Sequence, residues 1–304
     1  MNILITGAAG YIGTALVETL SRNTEVQHII AYDNLSRENL GLLFGSEKLS
    51  EKITFVKGEI LDDKKLRAQM KKCDVCIHLA AEVSTPYADV NHHLFEQINH
   101  WGTAGICTAA EECGIQKFIY FSSASVFGFG TEEFTADDNP KPVSLYGKSK
   151  LRGENHVNRL KDQMQVCIVR CANVFGYGAS MRFDAVLNKF NFDARFKNRI
   201  TLQGDGTQYR SFIHIDNVCK AVNGLLKEQS EESIVLLADR NERIIDAANA
   251  LEHVYPDLER IFISSHLQLN SLRLEISESF NQNAGFTMKP LHEHFAEFKT
   301  HFRF

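Results

Sequence analysis

The sequence predicts an α/β fold, a doubly wound parallel sheet followed by a smaller α/β lobe. Three observations carry that expectation. Short, near-continuous apolar runs alternate with amphipathic stretches through the first half of the 304 residues. Strands that are apolar along their whole length belong in a sheet buried on both faces, with the intervening helices as cover. The first run ends in a glycine-rich turn that opens a helical pattern, Ile3-Leu-Ile-Thr-Gly7-Ala-Ala-Gly10-Tyr-Ile-Gly13. After about Ala172 the alternation loosens, and the last seventy or so residues give only weak helix and strand patterns.

Taken in order, the patterns predict strands over 3–5, 29–32, 53–56, 75–79, 118–121 and 166–169. Helices are predicted over 13–21, 64–71, 94–112 and 146–160. Residues 1–172 read as a dinucleotide-binding domain and 173–304 as a smaller substrate-binding lobe. The chain is expected to return to the first domain at about 212–240. Ligands of such sheets sit beyond the carboxyl ends of the strands, where the distinctive motifs of this chain fall.

Composition excludes several function classes. Hydrophobic residues are 44% and charged residues 23%, the balance of a globular protein. A net charge of −5 leaves no basic footprint for nucleic acid or an anionic membrane. No apolar run approaches the ~20 residues of a membrane span, and the opening residues carry no pattern of a targeting leader. Seven cysteines, an odd number, read as reduced thiols in a cytoplasm. Cys73-Asp-Val-Cys76 has the spacing of a metal or redox pair. Cys76 opens an apolar run, however, and no second pair completes a site, so we read packing. His92, His93 and His100 read as surface or interface histidines, and no metal is expected.

The glycines carry the first chemistry. Spaced G-x-x-G-x-x-G between a strand and a helix, Gly7, Gly10 and Gly13 let the backbone approach a pyrophosphate at the helix N-terminus. Asp33 follows Gly13 by twenty residues at the end of the second strand. A carboxylate there accepts ribose hydroxyls and repels a 2′-phosphate, which favours NAD over NADP, although Arg37 stands near enough to oppose that preference. Glu59-Ile-Leu-Asp62 lies where the adenine edge is met after the third strand.

Tyr146 and Lys150, at i and i+4 in Tyr146-Gly-Lys-Ser-Lys150, share a helix face. A free phenol titrates near ~10, too high for a base at neutral pH. A neighbouring ammonium and a cationic nicotinamide ring would favour the phenolate and pull that value down. Tyr146 then takes a proton from a hydroxyl whose carbon loses hydride, while Lys150 holds the nicotinamide ribose. Ser123, in the cluster Ser122-Ser123-Ala-Ser-Val-Phe-Gly128, donates to the developing carbonyl oxygen.

This ordered set resembles the extended short-chain dehydrogenase/reductases, the superfamily of nucleotide-sugar epimerases and dehydratases. The resemblance covers most of residues 1–220. It includes Asp33-Asn34-Leu35, His78-Leu79-Ala80-Ala81, Asn99 with Gly102-Thr103, Arg170-Cys-Ala-Asn173-Val-Phe-Gly176, and Gly204-Asp-Gly-Thr-Gln-Tyr-Arg210. It implies a Rossmann-type NAD-binding domain and a catalytic set of Ser123, Tyr146 and Lys150. The implied cofactor contacts are Gly7, Gly10, Tyr11, Ile12, Gly13, Asp33, Asn34, Glu59, Ile60, Leu79, Ala80, Ala81 and Asn99, together with Tyr146 and Lys150. The implied contacts to a nucleotide-diphosphate sugar are Ser123, Asn173 and Arg210. The resemblance also implies a homodimer built on helices 94–112 and 146–160, though Trp101 and Ile106 read equally as core residues.

The dehydratases of this superfamily follow the catalytic hydroxyl with Asp-Glu, where this chain has Ala124 and Ser125. That difference points to an NAD-dependent nucleotide-sugar 4-epimerase, an expectation strengthened by the likeness of Asp33-Asn-Leu-Ser36 to the 4-epimerases. A C4 dehydrogenase or 4-keto-sugar reductase with net cofactor turnover would use the same three residues. A non-enzymatic dinucleotide sensor would not need all three. The chain also departs from the family pattern. Phe127 and Ser211 replace a common tyrosine and aspartate, and the second phosphate-binding segment is missing, with Arg273 as a possible substitute.

Overall fold

The computed structural model describes residues 1–44, 51–83, 92–227, 233–263 and 270–302. Its strands, in chain order, begin with β1 (Asn2–Thr6), β2 (His28–Asp33), β3 (Ile53–Lys57), β4 (Val75–His78) and β5 (Lys117–Ser123). They continue with β6 (Glu133–Phe134), β7 (Gln165–Cys171), β8 (Asn173–Phe175), β9 (Arg199–Gln203) and β10 (Tyr209–His214). The last four are β11 (Ile234–Leu237), β12 (Arg240–Arg243), β13 (Glu259–Ile263) and β14 (Arg273–Leu274). Seven of them form one sheet in the order β11-β7-β5-β4-β1-β2-β3, every pair parallel. The order runs outward in both directions from β1, the doubly wound arrangement expected.

Alternation explains why the strands read as unbroken apolar runs. Ile3 and Ile5 enter the core on one face of the sheet and Leu4 the core on the other. Ile29 and Ala31 oppose Ile30 and Tyr32 in the same way, as do Ile119 and Phe121 against Phe118 and Tyr120. The helices Tyr11–Ser21 and Ile215–Lys227 pack together on the first face, and Asp63–Met70 and Thr103–Cys113 on the second.

Element boundaries moved by one or two residues from the predicted ones. The expected helix over 94–112 is a continuous helical run whose middle, Phe95–Gly102, winds as a π-helix. Such wide turns accommodate an extra residue and recur at functional sites. Here the Asn99 carbonyl accepts the Thr103 hydroxyl at 2.7 Å.

Past β7 the chain builds a second core from Phe175, Phe190, Phe212, Ile244, Leu251 and Phe295. It carries a three-stranded sheet, β12-β10-β8, and the pair β13-β9. From β10 the chain enters the helix Ile215–Lys227 against Tyr11–Ser21, then adds β11 beside β7 in the large sheet. Among the described residues no helix is long and apolar enough to cross a membrane.

Candidate active site

A cleft of about 730 Å³ opens between the carboxyl ends of the large sheet and the second lobe. One end is a cradle of backbone. Gly7 has φ +72°, and a Cβ there would stand 2.6 Å from the Ala80 nitrogen. A Cβ on Gly13 would stand 2.2 Å from the Gly7 carbonyl oxygen. Only glycine fits either position. The helix Tyr11–Ser21 begins at Gly10 with no side-chain cap, so its first N–H groups are free to meet an anion.

Asp33 stands at the end of β2. Its two oxygens accept Ala9 N–H at 2.9 Å and Leu35 N–H at 2.8 Å, which fixes the carboxylate facing the cleft. Asn34 donates to Glu59 at 2.7 Å, and Glu59 also accepts its neighbour Ile60 N–H at 2.8 Å. Tyr11, Ile12, Ile60, Leu79, Ala80 and Ala81 complete this wall, and Tyr11 reaches across to the Gly176 carbonyl at 2.5 Å. Uncapped N–H groups, a cradle closed to any Cβ and a fixed carboxylate twenty residues on are the features a dinucleotide needs, so these residues fit NAD. Arg37 lies in the cleft but is held by Glu82 at 3.7 Å and donates to the Val83 carbonyl.

Three residues singled out in the sequence stand apart from the cleft lining. Asn99 is fully buried and lines no part of the cleft. Its carboxamide is occupied by the Glu82 N–H and carbonyl, both at 2.8 Å, and by the Ser149 hydroxyl at 3.0 Å. These bonds brace the wall between Glu82 and Ser149. Asp62 caps the helix Asp63–Met70 through Lys65 N–H. Arg273 also lies outside the lining, bonded to the Thr131 carbonyl and stacked on Tyr209.

The reaction end joins two elements. Ser123 ends β5, and Tyr146 and Lys150 stand on the helix Leu145–Asn158, which the Ser144 hydroxyl caps through Gly147 N–H at 3.0 Å. Ser123 Oγ accepts the Ser125 N–H at 3.2 Å and the Ser125 hydroxyl at 2.9 Å. Its own proton is therefore free to point at Tyr146, with which it shares a hydrogen bond. Lys150 is buried with Nζ 4.5 Å over the Tyr120 ring.

Burial disfavours the charged forms of both Tyr146 and Lys150. Burial raises Tyr146 above the ordinary phenol value, with Arg182 and the Ser123 hydrogen bond opposing. Burial also brings Lys150 down to about 7, with Glu154 opposing. At Tyr146 burial outweighs the protein groups that oppose it, and a positive charge in the cleft would favour the phenolate.

At the far end, Asn173 donates to the Ser211 carbonyl at 3.0 Å. Arg210 donates to the carbonyls of Tyr209 and Asn270, at 2.8 and 2.6 Å, and lies 5.9 Å over Phe129. It forms no ion pair with Asp205, which instead accepts Thr207 in its own turn. Ser211, in the place of the family aspartate, is buried and ties Asn241 to Leu274 N–H. Phe127 is buried and stacks on Phe134 at 4.9 Å. Sequence reading missed Arg182 and Asp184, a paired guanidinium and carboxylate in the cleft wall. They lie in a connection without periodicity, so no sequence signal marked them.

Among the described residues no group of three metal-ligating side chains converges. All seven cysteines are free thiols. Trp101 is 61% exposed, whereas Ile106 is core.

A dTDP-D-glucose 4,6-dehydratase of Homo sapiens is 29% identical to this chain over 267 residues, 82% of this chain and 75% of that protein. A UDP-glucose 4-epimerase of Mycolicibacterium smegmatis is 31% identical over 228 residues, 73% and 72% of the two chains. The crystal structure of UDP-glucuronic acid 4-epimerase from Bacillus cereus, in complex with UDP-glucuronic acid and NAD, superposes with a TM-score of 0.88. At 23% identity it covers 99% of this chain and 98% of that one, a likeness of fold. Residues 3–237 match the model of one family, which spans the glycine cradle, the Ser123–Tyr146–Lys150 set and Arg210: the chain belongs to the NAD dependent epimerase/dehydratase family.

Proposed function

We propose that this protein is an NAD-dependent nucleotide-sugar 4-epimerase that oxidises the sugar 4-hydroxyl transiently and returns the hydride to the opposite face. The carrying observation is the pair of residues after the catalytic serine. Ala124 and Ser125 offer no carboxyl group there. The carboxylates among the described lining residues are Asp33, Glu59, Glu82 and Asp184. Each is already engaged, by backbone N–H groups, Asn34, Arg37 and Arg182 respectively. Eliminating water from a sugar needs a further free acid and base beside the reacting carbons, whereas exchanging hydride at one carbon needs only the group that takes and returns the hydroxyl proton.

Bound NAD supplies the hydride acceptor and, in its oxidised form, a positive ring. In this reading Tyr146 takes the 4-hydroxyl proton as phenolate and later returns it. Ser123, which accepts from Ser125 and so keeps its own proton free, donates to the oxygen that becomes carbonyl. Lys150 binds the nicotinamide ribose and favours the phenolate. Asn173 meets the sugar and Arg210 the diphosphate, for which a guanidinium fork is suited. The protein works as a cytoplasmic homodimer through the helical run 92–113 and the helix Leu145–Asn158. Trp101, exposed and stacked on His100 at 4.4 Å, lies in that face.

The test is anaerobic mixing with a panel of nucleotide sugars, following the reduced-nicotinamide absorbance while NMR tracks the sugar. Inverted sugar without net NADH supports the epimerase. Stoichiometric NADH with a keto sugar replaces it with a dehydrogenase, and an unsaturated or deoxy keto sugar with a dehydratase. Light scattering that finds only monomer removes the dimer.

A further inference from the structure

Behind the reaction end lies a buried ion pair that the proposed chemistry does not use. Glu154 is 1% exposed and Arg170 3%. Glu154 follows Lys150 by four residues on the helix Leu145–Asn158, so Tyr146, Lys150 and Glu154 share one face. Its carboxylate accepts the Ser122 hydroxyl at 2.5 Å and Arg170 Nε and Nη2 at 3.2 and 2.9 Å. Ser122 and Arg170 are register partners on β5 and β7, one step before Ser123 and Cys171. Arg170 in turn lies 4.8 Å over the Phe127 ring. One carboxylate therefore ties the helix bearing Tyr146 and Lys150 to the strand bearing Ser123.

Removing two charges from water is costly, and an apolar pair of similar volume would hold the same elements together. What the carboxylate adds is charge. Without it, Lys150 and Arg170 would be two buried cations sharing one region of low dielectric. We propose that Glu154, clamped by Ser122 and Arg170, is a positioning residue that keeps Lys150 an ammonium and fixes Ser123 relative to Tyr146. This rests on the roles proposed for Lys150 and Tyr146 in the epimerase reading.

The surroundings of Lys150 support it. From β5 the Tyr120 ring faces it, and from β4 the imidazole of His78, which burial and Lys150 itself hold neutral by lowering it to about 3. From the helical run 92–113 come Thr103, bonded to His78, and Asn99, bonded to Ser149, neither charged. On its own helix stand Tyr146 and Glu154, with Arg170 behind on β7. Glu154 is the group that holds Lys150 up against its burial.

The experiment follows the ε-carbon signal of isotopically labelled lysine by NMR across pH in the NAD-loaded protein. The Lys150 signal is identified by its loss in Lys150→Met. Glu154→Gln keeps the shape and removes the charge; the Lys150 titration should fall by about one pH unit or more. The alkaline limb of the turnover profile should move down with it. Arg170→Met removes the opposing cation and should move the titration upward, while Ser122→Ala should leave it in place. A merely structural tie would lower activity evenly across pH with the Lys150 titration unmoved, and that result overturns the proposal. Should Glu154→Gln not fold, Arg170→Met decides: an upward shift supports the proposal, and none or a downward one overturns it. A shifted titration in a protein that turns over no nucleotide sugar would sink the epimerase reading and leave this inference standing.

Discussion

At the reaction end of the cleft, Ser123, Tyr146 and Lys150 stand on a strand and a helix whose flanks are buried and hydrogen-bonded. At the other end, Arg210 sits near the start of the central strand of a three-stranded sheet and is held by the carbonyl of Asn270, sixty residues along the chain. Arg182 and Asp184 lie in a connection between β8 and the helix Val186–Lys197. The first end is built from local spacing on regular elements, the second from contacts between segments distant in sequence. A protein organised this way can keep its chemistry fixed while its substrate contacts vary, although Arg182 reaches Tyr146 electrostatically and so links the two ends.

The sharpest way to break that comparison is to remove the phenol. Tyr146→Phe should lower kcat by about 10²- to 10⁴-fold, the usual worth of a general base, with NAD binding retained. Single-turnover NADH formation checks it, and a small loss would mean that another group takes the proton. At the far end, Arg210→Met should raise KM for a nucleotide sugar by roughly ten- to a hundredfold, the value of a charged hydrogen bond, with kcat little changed. A fall in kcat of the same size would show that Arg210 aligns the sugar for reaction and that the ends are not independent. Gly13→Ala tests the rigidity of the cradle. Its Cβ has only backbone to meet, so unfolding stability should drop by about 1–3 kcal/mol in urea titrations, with weaker NAD binding by calorimetry.

The same division explains what was legible in the sequence. Gly7, Gly13, Asp33, Tyr146 and Lys150 stand at fixed offsets within or between adjoining elements, and such offsets survive in the primary sequence. The strands were visible because both faces of the sheet are buried. The surroundings of Asn99 were not legible, because a helical spacing says nothing of the π-helical stretch in which its carboxamide bonds Glu82 and Ser149. Arg273 was misplaced for a related reason: the pairing of β14 with β6 turns it toward Thr131, and no local pattern encodes that. The lowering of the Tyr146 phenol expected from Lys150 together with a cationic nicotinamide ring is opposed by a burial that the sequence does not display.

Two buried histidines give the smallest test and separate the regions once more. His78, at the reaction end, is bonded on both nitrogens, to Thr6 at 2.8 Å and Thr103 at 3.0 Å. Because Thr103 donates its proton to the Asn99 carbonyl, the network assigns the His78 proton to Nε2 and leaves Nδ1 to accept from Thr6. His294, in the second lobe, is stacked on His214 at 4.4 Å, and neither of its ring nitrogens has a partner among the described residues. Burial holds both near a value of about 3. The unfolded chain gains a proton on each at about 6.5 while the folded one does not. Stability contributed by the neutral rings is therefore present above about 6.5 and lost as pH falls toward 3. His78→Leu leaves the Thr6 hydroxyl without its acceptor and should cost about 1–3 kcal/mol at neutral pH. His294→Leu removes no hydrogen bond and should cost about 1 kcal/mol or less. Both should flatten the fall of the urea midpoint between pH 7 and 5. A large neutral-pH loss in His294→Leu would mean that its ring is as firmly tied as that of His78, and the second lobe would then be no looser than the first.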